Sequence, residues 1–218
     1  MKVPIVVAII SQKGGVGKST LARALGALST AAGLHVMLAD LDPLQRTVVL
    51  WNEARKQNNI EPVLAVNAFA QAEEAHTAAR GADLLILDTP GQVNDDTMDV
   101  ARRADLIIQP TGPSFDDLHP SVLLFRALVN LGVSQQRLVM AIARYLSAGE
   151  EERARAFLTD AGYAVLPGGI PEGTIYREAH NRGLALTEID TRRDEDALTL
   201  MADLFLRVRG LLDAPRMN

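Results

Sequence analysis

This sequence predicts a doubly wound α/β fold, a mostly parallel sheet with helices on both faces. Three observations carry that expectation. Short runs of Val, Ile and Leu without period-two alternation recur along the chain, as in strands covered on both sides. Helical patterns separate successive runs, which is the β-α-β rhythm of a parallel sheet. Between the first run and the first helix pattern lies a glycine-rich stretch, Lys13-Gly14-Gly15-Val16-Gly17-Lys18-Ser19-Thr20. Ligands of such folds bind outside the carboxyl ends of the strands. The turns after the strands are therefore where chemistry is to be sought.

In chain order, the expected strands are Ile5–Ile10, His35–Ala39, Val63–Val66, Leu84–Leu87, Leu106–Gln109 and Leu138–Ala143. The expected helices are Ser19–Ala32, Gln45–Gln57, Ala70–Arg80, Asp95–Arg103, Asp117–Leu131 and Glu150–Ala161. Gly33, Gly81, Gly132 and Gly162 stand where four of these helices should stop, as glycines at helix C-termini do. Asn94 and Ser114 are placed to cap two helix starts. Past Gly162 a turn region rich in Pro and Gly leads to a short helix, Thr174 to Asn181. The closing stretch from Asp194 to Leu212 repeats Leu198, Met201, Leu204, Phe205, Val208, Leu211 and Leu212 at helical spacing, the stripe of a helix packed on the sheet. A membrane-surface helix would show a basic polar face, whereas this one mixes Asp196 and Asp203 with Arg207 and Arg209.

Composition narrows the class. The 218 residues are enough for one substantial core, so residues 1–218 are expected to form one domain. With 48% hydrophobic and only 4% aromatic residues, aliphatic packing must dominate that core. The chain has no cysteine, which excludes disulfides, thiolate metal sites and a cysteine nucleophile. Neither a secretory signal nor an apolar run of roughly 20 residues is seen, so the expected location is the cytoplasm. A net charge of −5 gives no global attraction to nucleic acid, and any DNA contact needs a local basic patch.

The glycine-rich stretch has the parts of a phosphate-binding loop. Its glycines let successive backbone N–H groups point at phosphate oxygens, and the following helix adds its positive dipole end. Lys18 reaches the β- and γ-phosphates and the Ser19 hydroxyl ligates Mg²⁺. In G-x-x-x-x-G-K-[ST] the first glycine would fall at Gln12, and a second lysine, Lys13, opens the loop instead. Two acidic sites follow. Asp88 ends the apolar strand and begins Asp88-Thr89-Pro90-Gly91, suited to holding Mg²⁺ through its water shell. Gly91 offers a backbone N–H able to sense a γ-phosphate. In Asp40-Leu41-Asp42-Pro43 the two carboxylates lie on opposite sides of an extended backbone, so only one faces the phosphates. Asp42 is the expected catalytic-site residue. Asp40 is either a second metal-site carboxylate or the cap of the next helix.

These three motifs resemble those of the deviant Walker ATPases, the ParA/MinD family. The likeness covers most of the chain, including Trp51, Arg55 and the late Pro171…Tyr176-Arg177-Glu178-Ala179…Gly183 segment, and is greatest to the short ParA partition proteins. It departs in one detail, since the glutamine after the Asp-Pro step stands at Gln45, behind Leu44. The resemblance implies a doubly wound P-loop fold, ATP and Mg²⁺ as cofactors, and a homodimer formed on ATP binding. It makes Lys13 the signature lysine that reaches the partner's phosphates. Gly14, Gly15, Val16, Gly17, Lys18, Ser19 and Thr20 become the nucleotide loop, Asp42 the residue orienting the attacking water, and Asp88 the Walker B carboxylate. Arg144, Pro171 and Glu172 fall where the adenine is held.

The same likeness implies slow hydrolysis stimulated by a partner, here a ParB-like centromere-binding adaptor, and non-specific DNA binding on the nucleoid. Arg192, Arg193, Arg207 and Arg209 are the DNA-contact candidates, with ordinary surface pairing to neighbouring acids as the competing reading. Lack of cysteine sets the chain apart from the nitrogenase iron protein and iron–sulfur scaffold ATPases, and no N-terminal helix-turn-helix extension for operator binding is expected. The final Asp213 to Asn218 does not resemble the basic amphipathic tail of MinD, so no stable membrane association is expected. Plasmid or chromosome partition is the leading expectation. The alternatives are an ATPase positioning a protein cargo and a MinD-like membrane-associated nucleotide switch.

Overall fold

The structure is a computed structural model that describes residues 2–92, 95–189 and 195–215. Five parallel pairings join six strands into its sheet: β1 (Ile5–Ile9), β2 (Val36–Asp40), β3 (Ala65–Ala68), β4 (Leu84–Asp88), β5 (Leu106–Thr111) and β6 (Leu138–Tyr145). Two-residue strands β7 (Ala164–Val165) and β8 (Ile170–Pro171) both pair with β6. The order is β3-β2-β4-β1-β5-β6-β7. The chain thus winds outward in both directions from the centre, with β1 between β4 and β5. That places the loop after β1 at the point where the winding reverses, the crevice in which such sheets bind ligands.

Alternate residues of the central strands feed two separate cores. On β1, Ile5, Val7 and Ile9 join one cluster while Val6 and Ala8 join the other, and every one is buried. The first core is closed by α1 (Lys18–Ala31), α2 (Thr47–Gln57), α7 (Thr174–Asn181) and α8 (Glu195–Asp213). The second is closed by α3 (Ala72–Ala78), α4 (Asp95–Arg103), α5 (Phe115–Asn130) and α6 (Ala148–Asp160). Both faces being apolar explains why the strands read as continuous hydrophobic runs. Each fully buried Leu or Ile contributes roughly 1.5–3 kcal/mol.

Gly33, Gly81, Gly132 and Gly162 follow helices at φ of 85°, 94°, 88° and 88°, the left-handed conformation expected of C-terminal glycines. Ser114 precedes α5, but its hydroxyl donates to Asp117 Oδ2 rather than capping the helix. Asn94 lies outside the described residues. The closing helix packs as expected through Met201, Leu204 and Val208, with Leu200 buried beside them, while Leu198 turns to solvent. Of the described residues, no helix is long and apolar enough to cross a membrane.

Candidate functional site

The chain leaves β1 and winds through the glycine loop into α1 with Gly15 at φ 72° and Gly17 at φ 104°. Those values are cheap only for glycine, and they let the loop fold tightly. Gly17 precedes the first helical residue and no side chain caps it, so the first N–H groups of α1 face the cleft. Lys18 lies back along the loop, its Nζ donating to the Lys13 carbonyl at 3.0 Å. Burial lowers the Lys18 pKa, against the opposing pull of Asp88 and Asp42. Val16 is buried with its side chain away from the cleft, leaving only its backbone to the loop's function.

Asp88 stands at the carboxyl tip of β4 and accepts the Ser19 hydroxyl at 2.6 Å through Oδ2. Its Oδ1 is buried and without a hydrogen-bond partner among the described residues. Burial pushes the Asp88 carboxyl up to about 7, with nearby Asp40 adding to the effect while the Ser19 hydrogen bond, Lys18 and Arg23 pull against it. An unsatisfied buried carboxylate oxygen is costly unless something cationic completes it. A hydrated Mg²⁺ shared with the Ser19 hydroxyl would do so, and the uncapped helix start and Lys18 suit the phosphates beside it. The residues present therefore fit Mg-ATP.

Asp40 takes the capping role. Its Oδ2 accepts Val48 N at 2.8 Å and Val49 N at 3.4 Å, and its Oδ1 accepts Asp42 N at 3.0 Å. Fully buried, it fastens the start of α2 to the end of β2. Both its oxygens are engaged by main-chain donors, which is the capping alternative of the two expected for it. Asp42 instead lines the cleft, and its Oδ1 accepts Gln45 N at 3.0 Å. The helix expected from Gln45 begins at Thr47 because Arg46 adopts a left-handed φ of 50°.

The cleft has a volume of about 490 Å³ and includes Thr20, Asp42, Asp88 and Gly91. A Cβ added to Gly91 would lie 3.1 Å from Gly14 Cα, so the segment after Asp88 rests directly on the phosphate loop. Arg144 and Pro171 also line the cleft. Arg144, at φ 63°, donates from Nη1 to the Gly15 carbonyl at 3.2 Å and from Nε to Glu172 at 2.9 Å. Arg177 binds the other oxygen of Glu172 at 3.3 Å. Loop, β6 and the segment after β8 are thereby joined.

Lys13 stands apart from the cleft. In the single chain its Nζ lies 2.8 Å from Asp117 Oδ1 on α5. Among the DNA-contact candidates, Arg207 pairs with Asp203 at 2.6 Å and Arg209 lies 4.0 Å from Asp213, both along their own helix, as the surface-pair reading expects. Arg192 and Arg193 lie outside the described residues.

Several cleft residues escaped the sequence reading. Arg23, Thr47 and His180 all line the cleft. Only Arg23 carried a signal: it falls one turn after Ser19, a cation on the apolar face of α1. Asp117 carried none, because its partnership with Lys13 spans 104 positions.

The family model for the CobQ/CobB/MinD/ParA nucleotide-binding domain matches residues 7–186. The maintenance of carboxysome distribution protein A of Gloeobacter kilaueensis is 30% identical over 187 residues, covering 85% of each chain. The structure of apo McdA from Cyanothece superposes with a TM-score of 0.69 at 19% identity, over 91% of this chain and 98% of that one. MinD of Pyrococcus horikoshii, complexed with Mg-ADP, gives 0.72 at 17% identity, over 97% and 100%. At such identities the two structures speak for the fold.

Proposed function

The chain belongs to the CobQ/CobB/MinD/ParA nucleotide-binding family, and from that premise we propose that this P-loop ATPase positions a protein-built cellular body through cycles of ATP binding and hydrolysis. ATP and Mg²⁺ are its cofactors. Bound Mg²⁺ supplies the charge that neutralises the β- and γ-phosphate oxygens. Ser19 and Asp88 hold the ion, Asp88 through water. The N–H groups of Gly14 to Thr20 and the Lys18 ammonium cradle the phosphates. Asp42 accepts a hydrogen bond from the attacking water and orients it, and Gly91 carries the state of the γ-phosphate into the segment behind it. Lys13 swings from Asp117 to the phosphates of a second copy, which couples ATP binding to homodimer formation. A partner that completes this charge accelerates an otherwise slow reaction.

One observation favours a protein cargo over DNA partition: the 30% identity, across 85% of both chains, with a relative named for carboxysome distribution. The chemistry of the site serves either cargo. Binding to nucleoid DNA, as a track, belongs to this reading as well and would be sequence-indifferent and steeply salt-dependent.

The test is Lys18→Ala at the native locus, with fluorescent tags on products of the neighbouring genes. Tagged bodies should cluster or drift while replicons are inherited normally. Evenly spaced bodies accompanied by replicon loss would overturn the proposal. In vitro, the product of a neighbouring gene should stimulate phosphate release from the purified protein.

A further inference from the structure

Arg23 is a buried cation on the inner side of α1, 6% exposed, where an aliphatic residue would pack without any cost of desolvation. Its Nη2 donates to the Thr47 carbonyl at 2.7 Å, and its guanidinium lies 5.6 Å from the centroid of the Trp51 ring. The carboxylates of Asp88 and Asp40 offset part of the burial, and its pKa, lowered to about 10, leaves it charged at neutral pH. Its Nε has no partner among the described residues. Among the described residues its one side-chain hydrogen bond reaches another element, the first residue of α2.

That residue closes the segment that carries Asp42. At the near end, Asp40 holds Asp42 N and the first turn of α2. Between the anchors the chain is exposed from Pro43 to Arg46, and Leu44 is 93% exposed. Within it, Asp42 Oδ1 accepts Gln45 N, and the Asp42 carbonyl accepts Arg46 N at 2.8 Å. A short exposed loop with internal turns but little packing keeps its place through its ends. Arg23 is the anchor that comes from α1, the helix whose first residues are Lys18 and Ser19.

We propose that Arg23 is a positioning residue that sets Asp42 relative to the phosphate loop by tethering the start of α2 to α1. The inference rests on the role given to Asp42 above. Arg23 lines the same cleft and lies near Asp88, but in this scheme it sets Asp42 through the backbone from residue 40 to residue 47 and touches neither phosphate nor water.

Two variants test it, Arg23→Gln, too short to reach Thr47, and Arg23→Lys, which retains the charge and one donor. Hydrogen exchange of the nucleotide-free protein reads the tether without reference to activity. In Arg23→Gln, amides of the segment 42–47 should exchange at least about tenfold faster, while those of β1 and β4 keep their rates. Turnover should fall about tenfold or more, with KM and nucleotide affinity within about twofold of the parent, and Arg23→Lys should recover part of it. Unchanged exchange over 42–47 would overturn the tether, as would exchange raised equally across the sheet. A turnover loss matched by an equal loss of nucleotide affinity would also overturn it. Asp42→Ala separates the two layers: full turnover in that variant overturns the role of Asp42, whereas the exchange result still judges the tether.

Discussion

Freeing Lys13 should tighten the ATP-dependent dimer, and Asp117→Asn is the change that frees it. In the single chain the Lys13 ammonium is held at 2.8 Å by an Asp117 carboxylate that also accepts the Ser114 hydroxyl. Burial alone would raise the Asp117 carboxyl, yet the hydrogen bonds from Lys13 and Ser114 hold it below the ordinary range. The side chains of the pair are 40% and 24% exposed, so its worth lies toward the upper end of exposed ion pairs, about 1 kcal/mol. In the proposed dimer each chain gives up this pair before its lysine reaches across. Removing it from both chains changes association by ~2 kcal/mol, or about 30-fold in Kd. Asparagine retains the shape and a hydrogen-bonding oxygen for Ser114. Sedimentation equilibrium with a slowly hydrolysed ATP analogue measures the dimer Kd, which should drop about 10- to 30-fold relative to the parent. Adding Lys13→Ala should erase the gain. A folded Asp117→Asn protein with the parent's nucleotide affinity and an unchanged or weaker dimer would refute the reasoning.

Glu188→Gln removes the bidentate partner of Arg55, which is 1% exposed, and should cost about 3 kcal/mol or more in urea-unfolding free energy. His180 has its pKa lowered from 6.5 to about 4 by burial, with Arg23 adding to the effect. The unfolded chain therefore binds more protons over that interval, and stability falls as pH drops from about 6.5 toward about 4, by at most ~3 kcal/mol from this group. Urea titrations of the parent and His180→Gln across that range should show the slope reduced in the variant. Gly91→Ala places a Cβ 3.1 Å from Gly14 Cα and should lift the segment after Asp88 from the phosphate loop. Steady-state phosphate release should fall severalfold while binding of a fluorescent ADP analogue changes little.

The strands and most helices were legible because burial on both faces leaves a one-dimensional mark. A run such as Leu84-Leu85-Ile86-Leu87 has no polar position to spare, and all four residues are fully buried. The two-residue strands β7 and β8 left no such mark, since they are too short to show any periodicity and owe their conformation to pairing with β6. The start of α2 was placed two residues early because the left-handed turn before it falls on Arg46, where no glycine marks it in the sequence.

By itself, the sequence determined the glycine-rich loop after the first strand, the doubly wound class, and Ser19 and Asp88 as candidates for one metal site. Glycines at left-handed turns, apolar runs and a carboxylate at a strand tip are local requirements that each stretch of chain meets alone. Tertiary structure alone decided which role each charge plays. Asp40 became a cap, Lys13 was bound to Asp117, Arg207 and Arg209 were paired along their own helix, and Arg23 was joined to Thr47. The physical reason is that a charge is defined by what lies within a few ångströms of it. For Lys13 and Asp117 that neighbour comes from a different strand-to-helix turn of the same sheet, a closeness that only the folded sheet creates.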